Sequence, residues 1–142
     1  MTETKLPSRK YAWFVLVMML LLYLINYVDR FLVVGLVEPI KETYGISDTY
    51  MGFLVGPAFA IIYTLLAIPI EILADNTNRI RIIVVGAVIW SAFTVLSGMA
   101  KTPELFAMAR LGVGVGEAAF LAPAFSVLSD YFAPKKRALA FA

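Results

Sequence analysis

Four long apolar runs separated by short polar connections organise the chain. The first extends from Tyr11 to Val37 and is interrupted only by Asn26, Asp29 and Arg30. At 1.5 Å rise per residue a helix over it is about 40 Å long, enough for a tilted path through a hydrocarbon core about 30 Å thick. Residues 1–10 form a polar, basic leader with Lys5, Arg9 and Lys10. A secretory signal has an apolar core of only about 7–15 residues and a small-residue cleavage site, so the first run is expected to persist as a span. A polar connection from Glu38 to Thr49 contains Pro39 and Gly45, and its Ser47-Asp48 pair is placed to cap the next helix. Further spans are expected over residues 50–74, 82–100 and 105–131, joined by the Asp75–Arg81 loop and by a tight Lys101–Glu104 turn. Pro103 in that turn suits a helix start. After Ala133–Arg137, residues 138–142 read as the first turn of a fifth apolar helix. The expected fold is therefore an all-α, polytopic membrane bundle, with residues 11–142 as a partial N-terminal transmembrane domain of a longer protein.

Composition agrees with a lipid environment. The chain is 61% hydrophobic and 15% charged, with a mean hydropathy of +0.85. Soluble domains are about half apolar and about a quarter charged, and a soluble chain of this size buries only about two-thirds of its surface. The absence of Cys excludes disulfide and thiol chemistry. The absence of His removes the commonest general base and metal ligand. No enzyme activity, metal or cofactor is expected, and a net charge of +2 is too small to imply nucleic acid. Distribution says more than the sum. Eight Lys and Arg residues fall on the side of the two termini and the Asp75–Arg81 loop, against Lys41 and Lys101 on the other. That bias predicts cytoplasmic ends, in the plasma membrane or a bacterial inner membrane.

Four charges fall inside the spans: Asp29, Arg30, Arg110 and Glu117. Each costs from about 2.5 kcal/mol to much more at the bilayer centre. Counting from the span ends, Asp29 and Arg30 lie about 12–14 Å deep, Arg110 about 9 Å and Glu117 about 20 Å, all from the same side. They can neutralise one another if the first and fourth spans are neighbours. Arg110 and Glu117, seven apart, share a face. Asn26, one turn before Asp29 and Arg30, extends a polar stripe that should face inward. One reading is an ion-pair network that only fixes packing. The other is a water-lined cavity whose carboxylates exchange protons or hold substrate, and four such charges favour it. Gly112, Gly114 and Gly116, and the Gly52/Gly56 pair, read best as close helix packing. Pro57, Pro69 and Pro123 are expected to bend or loosen their spans.

These residues resemble a known family. Leu73-Ala74-Asp75-Asn-Thr-Asn-Arg79-Ile-Arg81 is similar to the loop between helices two and three of the major facilitator superfamily, Gly-x-Leu-Ala-Asp-Arg-x-Gly-Arg-Arg. It departs at Glu71, Asn76, Asn78 and Ile80, with Arg81 as a possible compensation. Glu71 is expected to snorkel to the aqueous surface or to pair with Arg79 or Arg81. Arg110-Leu-Gly-Val-Gly-Val-Gly116-Glu117-Ala118 resembles the fourth-helix motif, and Asp130 with Lys135–Arg137 the four–five loop. Asn26-Tyr-Val-Asp-Arg30, Gly52-Phe-Leu-Val-Gly-Pro-Ala-Phe-Ala60 and Val115-Gly-Glu-Ala118 resemble the Spinster-like branch.

The resemblance implies a twelve-helix, alternating-access transporter. It implies that Asp29, Arg30 and Glu117 line the central cavity and take part in proton coupling. It also implies a cytoplasmic gate in which Arg79 pairs with Asp130 and Asp75 meets a helix of the missing half. In this reading Glu117 carries the proton, since desolvation penalises its charged form while Arg110 or Arg30 opposes that penalty. Arg30 is placed for an anionic head group, such as that of a lysolipid-like substrate or an organic acid. The expected partners are membrane lipid, protons, a small-molecule substrate and the missing C-terminal helices, and the fragment alone is expected to be inactive. A small four-helix multidrug exporter and a non-transporting membrane scaffold are the alternatives.

Overall fold

The computed structural model describes residues 8–132, and all regular structure among them is helical. The helices are α1 (Arg9–Gly35), α2 (Val37–Tyr44), α3 (Asp48–Phe53), α4 (Phe59–Asn76), α5 (Arg79–Met99), α6 (Pro103–Ala118) and α7 (Leu121–Tyr131), with a wide π-helical turn, Leu54–Ala58, joining α3 to α4. Four stretches are long and apolar enough to cross a membrane: Arg9–Gly35, Asp48–Asn76, Arg79–Met99 and Pro103–Tyr131. Lys5, the Lys135–Arg137 cluster and the expected fifth helix lie outside the described residues.

Prolines explain where the long helices break. A proline inside a helix lacks the N–H for the carbonyl four residues back, and its ring crowds that carbonyl. Four residues before Pro39 is Gly35, where α1 ends. Four before Pro57 is Phe53, where α3 gives way to the π-helical turn. Four before Pro123 is Ala119, the residue that caps the end of α6. The fourth span, expected as one helix, is therefore two, broken at Ala119 and Phe120. Pro69 sits inside α4 without interrupting it. The expected polar connection after the first span is also mostly helical, as α2. It is closed by Gly45 in the left-handed conformation (φ 63°).

Polar side chains finish the helix ends. Ser47 accepts from the Tyr50 amide (3.2 Å) and Thr102 from the Leu105 amide (3.2 Å), with Pro103 in the first turn of α6. In the Asp75–Arg81 loop, Asn76 Nδ2 donates to the Ile72 carbonyl and Thr77 Oγ1 to the Leu73 carbonyl, each at 2.7 Å. Asn78 accepts from the Arg81 amide. The asparagines that depart from the family pattern thus cap the two helices they join. At the opposite end Tyr44 donates to the Ala100 carbonyl (2.9 Å), and Lys41 is held by both Asp48 and Glu38. The bond to Asp48, then that to Glu38, raises the Lys41 pKa. This contribution is complete below the ordinary lysine value and is lost only as pH rises through the raised one, so the clasp between α2 and α3 is constant at neutral pH.

The fourth span is central. Of its most apolar 18 residues 67% are buried, against 6% to 22% in the other three spans. Its contacts form three layers: Ala12, Val15 and Ile83 with Phe120, Ala124 and Val127; Phe59 and Trp90 with Val113; and Val33, Met51 and Leu54 with Phe106. Glycines allow the approach. A Cβ on Gly86 would lie 2.8 Å from the Gly116 carbonyl, and one on Gly116 would lie 2.7 Å from the Gly86 carbonyl and collide with the Trp90 backbone. Gly112 and Gly114 face the rings of Phe93 and Phe59. The Gly52/Gly56 pair differs from expectation. Both are exposed, and a Cβ on either would meet nothing within 4 Å. Gly116→Ala is therefore expected to destabilise the bundle by about 1–3 kcal/mol, the usual range for overpacking. Gly98→Ala, where a Cβ also meets nothing within 4 Å, should stay within about 0.5 kcal/mol of zero. Equilibrium unfolding in mixed micelles, followed by tryptophan fluorescence, measures both.

Candidate functional site

The four intramembrane charges meet as two crossed pairs. Asp29 and Arg30 are consecutive on α1, while Arg110 and Glu117 stand about 10 Å apart along α6. Two long arginine side chains bridge that offset, one from each helix. Arg110 Nη1 reaches Asp29 Oδ2 at 3.1 Å. Arg30 Nε and Nη2 both reach Glu117 Oε2 at 2.8 Å. The site is neutral as a set, which is how a low-dielectric interior tolerates four charges.

Surroundings distinguish the pairs. Arg110 is 6% exposed, and Asp29 gains a second donor from Thr94 Oγ1 of α5 at 3.2 Å. Glu117 is 1% exposed, but the Arg30 side chain is 40% exposed. The Arg30 guanidinium also lies over the rings of Phe59 (5.1 Å) and Tyr63 (5.0 Å) of α4, which attract a cation through their faces. Asn26 is 7% exposed and stands beside the Glu117 carboxyl. A cavity of about 190 Å³ adjoins the pairs, and both Arg30 and Arg110 line it together with Val34, Leu54, Val55 and Phe59. A second cavity, of about 280 Å³, is mostly apolar and meets Asp29, Thr94 and Arg110.

All five membrane-embedded residues named from the sequence, Asn26, Asp29, Arg30, Arg110 and Glu117, fall in this one neighbourhood. Phe59, Tyr63 and Thr94 were not among them. Their signal was weak but present: Phe59 and Tyr63 are four apart and so share a helix face, and Thr94 interrupts an apolar span. At the far end of the bundle Arg79 Nη1 bonds Asp130 Oδ2 at 2.7 Å, and Asp75 Oδ1 lies 3.9 Å from Arg79 Nη2. Arg81 and Glu71 are exposed and make no ion pair among the described residues. The expected pairing of Glu71 with Arg79 or Arg81 is thus not formed among the described residues.

Comparison with known proteins identifies the family. The family model described as Major Facilitator Superfamily matches residues 19–142. The chain is 36% identical over 132 residues to Protein spinster homolog 1 of Xenopus tropicalis, covering 92% of this chain and 25% of that protein. It is 32% identical over 126 residues to an MFS-type efflux pump of Mycolicibacterium smegmatis, covering 89% and 29%. It is 33% identical over 122 residues to a probable L-galactonate transporter of Escherichia coli, covering 84% and 27%. The chain therefore spans about a quarter of the length of these relatives. On this basis the chain is a multi-pass membrane protein that belongs to the major facilitator superfamily and resembles the Spinster proteins over most of its length.

Proposed function

We propose that this chain forms part of a secondary active, proton-coupled transporter of small organic or lipid-like molecules, working by alternating access. The observation that carries this reading is the pair of crossed ion bridges beside a cavity of about 190 Å³ that both arginines line. A network that served packing alone would not need open space at its charges.

In this reading Glu117 is the proton carrier and Arg30 its exchangeable partner. The exposed part of Arg30 and its aromatic seat leave it free to turn from the carboxylate to a substrate anion. Asp29 and Arg110 hold the first and fourth spans in register, and Asn26 completes the polar lining. Substrates are then anionic: an organic acid, or a lysolipid-like molecule with a phosphate. The name of the Escherichia coli relative, a probable L-galactonate transporter, supports the organic acid. Asp75, Arg79, Arg81 and Asp130 belong to a cytoplasmic gate, with the N-terminus cytoplasmic and the protein in the plasma or bacterial inner membrane. Transporter sites of this kind form between repeats, so helices beyond those described complete the cavity, and this chain by itself carries no flux.

Arg30→Ala, placed in a transporter of the relatives' length that carries this segment, should raise KM for an anionic substrate about ten- to hundredfold. That is the effect of one lost charged hydrogen bond, about 1.5–3 kcal/mol. An unchanged KM in a flux assay would remove Arg30 from the substrate site.

A further inference from the structure

The geometry of Glu117 is lopsided. Both Arg30 donors converge on Oε2. Oε1 is buried and has no hydrogen-bond partner among the described residues, and neither has Asn26 Nδ2, from the side chain standing next to that carboxyl. A buried polar atom without a partner costs about 1–3 kcal/mol, so two of them side by side are informative.

We infer that Oε1 is the atom of Glu117 that takes the proton, and that Asn26 is a positioning residue whose amide turns over to follow it. This rests on the reading of Glu117 as proton carrier. In the ionised state of this proposal the Asn26 NH2 closes onto Oε1 and donates to it. When hydronium delivers a proton, an O–H bond forms at Oε1 and a water is left behind, while Oε2 becomes the carbonyl oxygen still facing Arg30. The new O–H needs an acceptor. A half-turn about the last side-chain torsion of Asn26 exchanges its NH2 for its carbonyl oxygen, and that torsion is broad and roughly two-fold. One amide therefore serves both states, which a hydrocarbon side chain could not.

The charged or titratable groups facing Glu117 are few. They are Arg30 and, further away, Asp29 on α1, and Tyr63 on α4. On α5 and α7 the ionisable side chains, Arg79, Arg81, Asp130 and Tyr131, lie near the other end of the bundle, and α5 meets Gly116 through Trp90.

The test is pH-difference infrared spectroscopy of this chain in phospholipid vesicles. The acid band of Glu117 is identified by its loss in Glu117→Gln. In Asn26→Leu that band should shift to higher frequency, because the protonated Oε1 has lost its acceptor. Asn26→Ser, whose hydroxyl both donates and accepts, should return it. A second readout needs no change at Asn26. With 13C-labelled asparagine, the buried amide should shift in step with the acid band, and that shift should vanish in Glu117→Gln. Asn76 and Asn78 are exposed and give a background common to both. A labelled amide that ignores the titration, or an acid band unmoved in Asn26→Leu, overturns the role of Asn26 and leaves the proton site standing. If Glu117→Gln removes no acid band, Glu117 does not titrate and both readings fall.

Discussion

Arg110→Met should destabilise the helix bundle by about 3–5 kcal/mol, the usual effect of removing one partner from a buried ion pair. The magnitude follows from what remains. Asp29 would keep Thr94 as its donor but lose its one cation among the described residues, in a site where the two side chains are 11% and 7% exposed. Water cannot readily replace that cation. Asp29→Leu should be similarly costly, because Arg110 would then be the uncompensated charge. The double variant should recover most of either loss, since replacing a whole buried pair by apolar side chains is often neutral or stabilising. A double-mutant cycle on unfolding in mixed micelles isolates this coupling. The Arg79–Asp130 bond is as short or shorter, at 2.7 Å, yet its carboxylate is 64% exposed and exposed pairs contribute only about 0–1 kcal/mol. Burial, not distance, ranks these pairs.

Much of this was legible in the chain. The four spans follow from hydropathy, and the cap at Ser47 and the helix start at Pro103 follow from residue type. The neighbourhood of spans one and four follows from four charges that lipid would not tolerate apart. Which arginine takes which carboxylate was not legible. Depth arguments put all four groups in one zone, but the pairing depends on how far α6 slides along α1, and the apolar side chains that share a core cluster between them, Val33 and Phe106, carry no register signal in the sequence. The aromatic seat of Arg30 was equally hidden, because Phe59 and Tyr63 look like any apolar pair until the π-helical turn at Leu54–Ala58 fixes their direction. The break in the fourth span shows the opposite case. Pro123 announced a disturbance, and only its position relative to Ala119 was needed to place it.

Glu117→Gln should abolish proton-driven uptake while leaving the fold intact. The substitution keeps the side chain's size and its capacity to accept from Arg30, and removes its charge and its ability to titrate. It leaves Arg30 without a counter-charge, but that side chain is 40% exposed and seated on Phe59 and Tyr63, so the cost in stability should fall below that of Arg110→Met. Catalysis of exchange does not require a net proton movement, whereas accumulation against a gradient does. The decisive measurement is therefore made on a transporter of the relatives' length that carries this segment, reconstituted in liposomes. Uptake driven by an imposed pH gradient is compared with substrate counterflow at equal pH. The account predicts that Glu117→Gln reduces gradient-driven uptake to background and preserves counterflow. Gradient-driven uptake at the wild-type level would contradict it.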